Sequence, residues 1–342
     1  MRSKALYFPY ISPPEGNWLY LMLLYWDQLS SIVPFELADS PERLPPHMHI
    51  LMKEGLIHPV TPAKFIEDID AFGLPFLSYV ERRIRRKTPR QHATHSKTSI
   101  HIEKLGHIAE DLVELGAATP AHYPWYEMEP WVANAFMSYL ACILGNLPEI
   151  DSVPITNDES CLQTLRGGSY GRYSLLDSQR RTVLEDLFPF PKGDVDIPGI
   201  IKFKKKYGAE LTHFRNEVEE LFIDLSAISD CYLREEKRQM AIHKLKNEIE
   251  CISRRLQETW PGVELLDVLA IMGASGSIVT HLHGDQSLAA GLGAFSLPRL
   301  INSYLERRQQ RNSLFNHPLA YGALLRRQMS QPNGIVRVPR GR

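Results

Sequence analysis

The sequence predicts an α/β N-terminal layer followed by an all-α C-terminal region with a long antiparallel coiled-coil hairpin, mostly helical overall. Three observations carry this expectation. Short apolar runs alternate with helical stretches up to about residue 157, the grammar of a layered α/β domain. Apolar residues then recur at alternating spacings of three and four from Leu211 to Tyr232, and again from Ile242 to Leu256, which is a heptad seam. The 342 residues, 44% of them hydrophobic, exceed one compact core and supply enough apolar material for two.

In order, Lys4 to Ile11 reads as a first strand and is stopped by SPPEG. Asn17 is placed to cap a helix from Trp18 to about Ser31, apolar nearly all round and so buried. Ile32 to Leu37 reads as a second strand, closing a β-α-β unit. A helix from His47 to Glu54 ends at Gly55, and Leu56 to Val60 follows as a strand. Pro62 opens a helix over about Ala63 to Arg86 with a break at Gly73–Pro75. Helices follow from Ile102 to Leu115, stopped by Gly116, and from Trp131 to Leu144, then a strand from Asp151 to Thr156.

The α/β domain is therefore placed at 1–157, and RGGSYGRYS makes 158–181 a linker. The helical domain spans 182–330. In its hairpin, 207–260, the charged run Arg234 to Gln239 separates two seams that are out of phase. Ala/Gly-rich helices follow at about 263–300, and 331–342 reads as a flexible tail.

Charge and composition narrow the function classes. With 39 basic and 40 acidic residues the chain is no bulk polyanion binder. It has no run of about 18 apolar residues, so constitutive membrane insertion is not expected. The N-terminus lacks the apolar region of a signal peptide, and the four cysteines form no close pair. A reduced, cytoplasmic setting is expected.

Asp27 follows the apolar run LYLMLLYW and is expected to be partly buried, which makes it the candidate catalytic carboxylate. Arg82, Arg83, Arg85, Arg86, Lys87 and Arg90 form a basic run able to contact phosphate or nucleic acid; a solvated helix end is the plainer reading. Thr280 to Gln286 (THLHGDQ) resembles the THLHGDH box of metallo-β-lactamase-fold hydrolases. The family's last ligand histidine is Gln286 here, and the box comes late in the chain, so it reads as a polar turn between apolar helices. His47 with His49, and His92 with His95, lack ligand partners at familiar metal spacing. No metal and no cofactor are expected.

Leu6–Tyr7–Phe8–Pro9, Trp18, Leu23–Leu24–Tyr25–Trp26–Asp27 and Ile32–Val33–Pro34 resemble the N-terminal signature of an uncharacterised bacterial family, a domain of unknown function. Phe203 to Val218, with Phe214–Arg215, is similar to a second part of that pattern. The resemblance implies a bacterial protein of a phage-defence or mobile-element locus and carries no activity with it. The leading expectation is a non-enzymatic interaction or regulatory component that binds a protein partner, or a second copy, through the 207–260 hairpin. The alternatives are a hydrolase or nuclease with a site on the α/β domain, and a membrane-acting effector using the Ala/Gly-rich segment.

Overall fold

The computed structural model describes residues 2–66, 72–86, 97–161, 171–188, 194–195, 197–259, 309, 312–330 and 336–337. The chain is mostly helical, with a small α/β region of parallel and antiparallel sheets. It divides into two compact units. The first is Met1–Phe190 with Ile197–Lys204 and Glu219–Arg238; the second is Pro191–Asp196 with Lys205–Val218 and Gln239–Arg342.

The first unit opens with β1 (Lys4–Tyr7), α1 (Asn17–Tyr25), β2 (Gln28–Ile32), α2 (Phe35–Asp39), α3 (Pro46–Lys53), β3 (Ile57–Val60), α4 (Ala63–Ile66) and α5 (Leu74–Arg86). It continues with β4 (Thr98–His101), α6 (Ile102–Leu105), α7 (Ile108–Glu114), β5 (Ala118–Pro120), β6 (Trp125–Met128), α8 (Pro130–Asn146), β7 (Ser152–Ile155) and α9 (Gly171–Leu187). Four strands form a parallel sheet in the order β3-β2-β1-β7, with Leu6 opposite Ser30 on one side and Pro154 on the other. The chain steps outward from β1 to β2 to β3 and then returns to the far side of β1. That reversal makes a topological switch point between β1 and β7, where open α/β sheets leave a crevice at their carboxyl ends. A second, antiparallel sheet runs β4-β6-β5.

The inner strands of a parallel sheet are covered on both faces, so they are built mainly of apolar and small residues. Ala5, Leu6, Tyr7 and Phe8 are accordingly buried, as are Leu29, Ser30, Ser31 and Ile32. The core continues through Phe72, Phe76, Val80, Ile108, Leu112, Phe136 and Leu140. At Gly145 a Cβ would sit 2.5 Å from the Ser152 carbonyl oxygen, so glycine is what lets α8 lie against β7.

Several expectations change. The first helix ends at Tyr25, because Trp26 is already extended (φ −88°, ψ 144°). Residues 28–32 are therefore strand, and Phe35–Asp39 is helix where the sequence predicts a strand. Asn17 does not cap α1: Gly16 stands at that position and no side chain bonds there. The stretch from Ile102 to Leu115 breaks into two helices at Gly106, which takes a left-handed φ of 58°. Gly116 (φ 67°) ends α7 as expected. α5 begins at Leu74, within the expected break at Gly73–Pro75; residues 67–71, between α4 and α5, lie outside the described residues. Residues 171–181 of the expected linker are helical, since they lie in α9.

The remaining elements are β8 (Asp194–Val195), α10 (Ile197–Lys206), α11 (Gly208–Ala227), α12 (Cys231–Thr259), α13 (Ala320–Ser330) and β9 (Val336–Arg337). β8 and β9 pair antiparallel, so Val336 and Arg337 of the expected flexible tail form a strand. The break between α11 and α12 falls at Ile228–Asp230, earlier than the charged run Arg234–Gln239, which is helical. Asp230 Oδ1 accepts the Leu233 N–H at 2.8 Å, and this bond starts α12. In the second unit the seam positions Leu211, Phe214, Val218, Ile242, Leu245, Ile249, Ile252 and Leu256 are buried. In the first unit the seam slips: Phe222 is buried while Leu221 is half-buried, and Tyr232 is exposed. The Ala/Gly-rich segment 263–300, including Thr280 to Gln286, lies outside the described residues. No helix among the described residues is long and apolar enough to cross a membrane.

Candidate functional site at the carboxyl edge of the parallel sheet

The carboxyl edge at the switch point carries the loop after β1 and the turn after β7. Phe8 N–H donates to the Ile155 carbonyl at 3.2 Å, and the Phe8–Pro9 peptide is cis. The loop then folds back over the sheet, where Ser31 Oγ donates to the Ile11 carbonyl at 2.5 Å. Tyr7 Oη donates to Asn157 Oδ1 at 3.0 Å, and Tyr10 Oη to Asp158 Oδ2 at 3.2 Å. Asp158 Oδ1 also accepts from Ser160 N at 2.8 Å and Ser160 Oγ at 2.5 Å, and Asn134 Nδ2 donates to Ser160 Oγ at 2.7 Å. Burial works to raise the Asp158 carboxyl, but these hydrogen bonds outweigh it and leave the group below its ordinary range. The network is thus an anionic, hydrogen-bonded brace that holds Tyr10 and Asn134 in place.

Tyr10 and Asn134 form part of the wall of a cavity of about 160 Å³. The rest comes from Pro9 and Ile11, from Thr98 to His101 on β4, from Trp125 on β6, from Ala133 and Met137 on α8, and from Lys104. The antiparallel sheet therefore serves as the outer wall of the crevice. His101 caps α6: its Nδ1 accepts the Glu103 N–H at 3.2 Å, which leaves Nε2 to carry the ring proton. Its ring meets Trp125 edge-on at 5.0 Å. Burial, with Lys104 nearby, lowers the His101 pKa despite Glu103, so the ring is neutral at pH 7.

Lys104 is 4% exposed. Burial pushes its amine down to about 7. No carboxylate among the described residues pairs with it and no hydrogen bond holds it. A buried ammonium without a partner is one of the costliest groups a fold can keep, and such groups concentrate at functional sites.

The chain matches no known protein family, no curated protein and no solved structure. The site therefore rests on its own geometry.

The sequence-level candidates fall elsewhere. Asp27 is exposed, at the amino end of β2 and so at the opposite edge of the sheet. The expectation of burial fails because the helix ends two residues before it. Its backbone N–H donates to the Ser3 carbonyl at 2.9 Å, and its own carbonyl accepts Lys204 Nζ at 3.1 Å. Arg82, Arg83, Arg85 and Arg86 lie on the last turns of α5; Lys87 and Arg90 lie outside the described residues. Three of the four arginines are already engaged. Arg82 Nε donates to the Ser78 carbonyl, Arg83 stacks over Trp131 at 4.6 Å, and Arg85 pairs with Glu81 at 2.6 Å.

His47 Nε2 lies 2.9 Å from both Ser12 Oγ and the Pro13 carbonyl, so it braces the loop before α1. His92 and His95 lie outside the described residues, and among those described no three His, Cys, Asp or Glu residues converge as metal ligands. All four cysteines are unpaired thiols, Cys142 and Cys161 buried and Cys231 and Cys251 exposed.

Sequence reasoning passes over Lys104 and His101. The signal is present: Lys104, Ile108 and Leu112 stand four apart, so a lysine shares the buried side of what reads as one helix.

Proposed function

We propose that this chain is a non-enzymatic regulatory or interaction protein whose α/β unit binds a small ligand in the switch-point crevice. The observation that carries the reading is the convergence of Lys104, His101, Tyr10 and Trp125 on one cavity at the carboxyl edge of the sheet. Apolar walls with a few fixed polar groups are what small-molecule sites are made of. Ligand-observed NMR on the full chain with a library of small fragments tests it. Fragments should bind the parent protein and be lost from Ser99→Trp, which fills the cavity from an exposed position. Binding that the filling does not touch overturns the reading.

The partner surface in this proposal is the helical hairpin formed by α11 and α12, paired as an antiparallel coiled coil. The seam of buried residues at three-four spacing supports the pairing. On α12, Tyr232 is 82% and Met240 73% exposed, which supports docking of a protein partner or a second copy there. Sedimentation of the parent and of a Tyr232→Glu, Met240→Glu double variant reads out self-association. An association constant unchanged by the double variant removes this surface from the proposal.

A further inference from the structure

We propose that Lys104 is a covalent ligand-binding residue, whose ε-amine condenses with the carbonyl group of a small aldehyde or ketone held in the crevice to form a reversible imine. The inference rests on the crevice being a ligand site and names the chemistry of its ligand.

Three features point to a carbonyl compound. The amine is buried at the wall of a cavity, and among the described residues it has no hydrogen-bond or ion-pair partner that would hold its lone pair or its charge. Imine formation needs a free amine, and a lysine desolvated in an apolar pocket provides one at neutral pH; burial brings Lys104 down to about 7. Finally, the cavity of about 160 Å³ has room for roughly five water molecules, which suits a compact carbonyl compound.

The step balances without an outside reagent. The Lys104 nitrogen lone pair attacks the carbonyl carbon, a C–N bond forms, and the carbonyl oxygen takes up a proton to give a carbinolamine. Loss of the second N–H proton and of the hydroxyl releases one water and leaves the C=N bond. The two protons of the water are those the amine gave up. His101 and Tyr10 line the same cavity and carry exchangeable protons, His101 through Nε2. Hydrolysis by the same path returns both partners, so the site is a reversible sensor of its ligand.

The test is reductive trapping. The full chain is treated with limiting propanal and sodium cyanoborohydride at pH 7, and the modified lysines are located by peptide mapping. A lysine amine in free solution is unprotonated roughly once per thousand at that pH, so Lys104 should be propylated at least about tenfold faster than an exposed lysine such as Lys64. Ser99→Trp should abolish the selective reaction, and Lys104→Met, which keeps the volume of the side chain, should remove it while the fold is retained. Propylation of Lys104 no faster than of Lys64, or unaffected by Ser99→Trp, overturns the proposal. Fragments that bind the crevice without selective propylation make it a non-covalent site: the imine falls and the ligand site stands. Neither binding nor selective propylation overturns both.

Discussion

The unpaired lysine makes its own thermodynamic prediction. Lys104→Met removes the charge and keeps a side chain of similar length in a buried position, the best-tolerated kind of core replacement. The amine titrates near 10.5 in the unfolded chain and at about 7 in the folded one. The unfolded state therefore binds the proton more tightly, and the parent protein loses stability as pH falls from 10.5 towards 7. Below 7 both states are protonated and the full cost remains. Each pH unit between the two values is worth about 1.4 kcal/mol, so the variant should be more stable than the parent by ~5 kcal/mol at pH 6, ~3 kcal/mol at pH 8 and ~1 kcal/mol at pH 10. Urea denaturation of both proteins at the three pH values measures the difference, and effects of all other groups cancel in the comparison. A gap that does not change with pH means Lys104 is solvated or paired in the folded chain. A variant less stable than the parent refutes the reasoning outright.

The other predictions concern packing and charge in the first unit. Glu219 accepts from Arg180 Nε at 2.5 Å, Arg180 Nη2 at 2.7 Å and Tyr25 Oη at 2.7 Å, with all three residues buried. Glu219→Ala should cost ~3–5 kcal/mol by leaving Arg180 buried and unpaired, measured by urea melts. Burial raises the Asp177 carboxyl to about 6 against the pull of Arg180 and the Thr156 N–H. That acid destabilises the fold as pH rises from 3.8 to 6, so Asp177→Asn should add ~3 kcal/mol at pH 8 and under ~1 kcal/mol at pH 4; a gain larger at pH 4 reverses the sign and refutes it. Phe222→Ala should cost ~3–5 kcal/mol and Leu221→Ala markedly less, because Phe222 rather than Leu221 faces the core; equal costs restore the regular heptad. Replacing Arg82, Arg83, Arg85 and Arg86 with alanine should leave duplex binding weak and unchanged at about 0.15 M salt; tight binding lost in the variant would make α5 a nucleic-acid surface.

Much of the α/β unit is legible in its sequence because apolar period and punctuation agree there. β1, β3 and β7 lie inside the apolar runs that read as strands, and Gly55 and Gly116 end their helices. β2 escapes because QLSSIV carries two serines beside a helix-like apolar run. In the sheet both serines are buried, and Ser31 is satisfied by the Ile11 carbonyl. A strand can hide a hydroxyl that has a partner, and the partner lies 20 residues away, where no local pattern reaches. β4, β5 and β6 are three or four residues each in a polar stretch, too short for a period to register. Without them the wall of the crevice is invisible. The sequence points to Asp27 instead, on the strength of a buried helix that ends sooner than it reads.

The two edges of the parallel sheet differ in how they treat lysine, and that contrast bears on the proposed ligand site. At the amino edge Lys204 Nζ donates to the Trp26 carbonyl at 2.8 Å and to the Asp27 carbonyl at 3.1 Å, so a lysine closes off backbone acceptors that would otherwise be left over. These two backbone carbonyls are satisfied by the chain itself. At the carboxyl edge the acidic groups are likewise finished: Asp158 is bonded by Tyr10 and Ser160, and Asp177 by the Thr156 N–H at 3.3 Å. Lys104, on the cavity wall, is left differently. It is buried like the sheet's own core, yet it is given no acceptor, while Asp158 is committed to the brace. A lysine without an acceptor among the described residues, on a cavity wall beside carboxylates that have hydrogen bonds, supports the proposed ligand site.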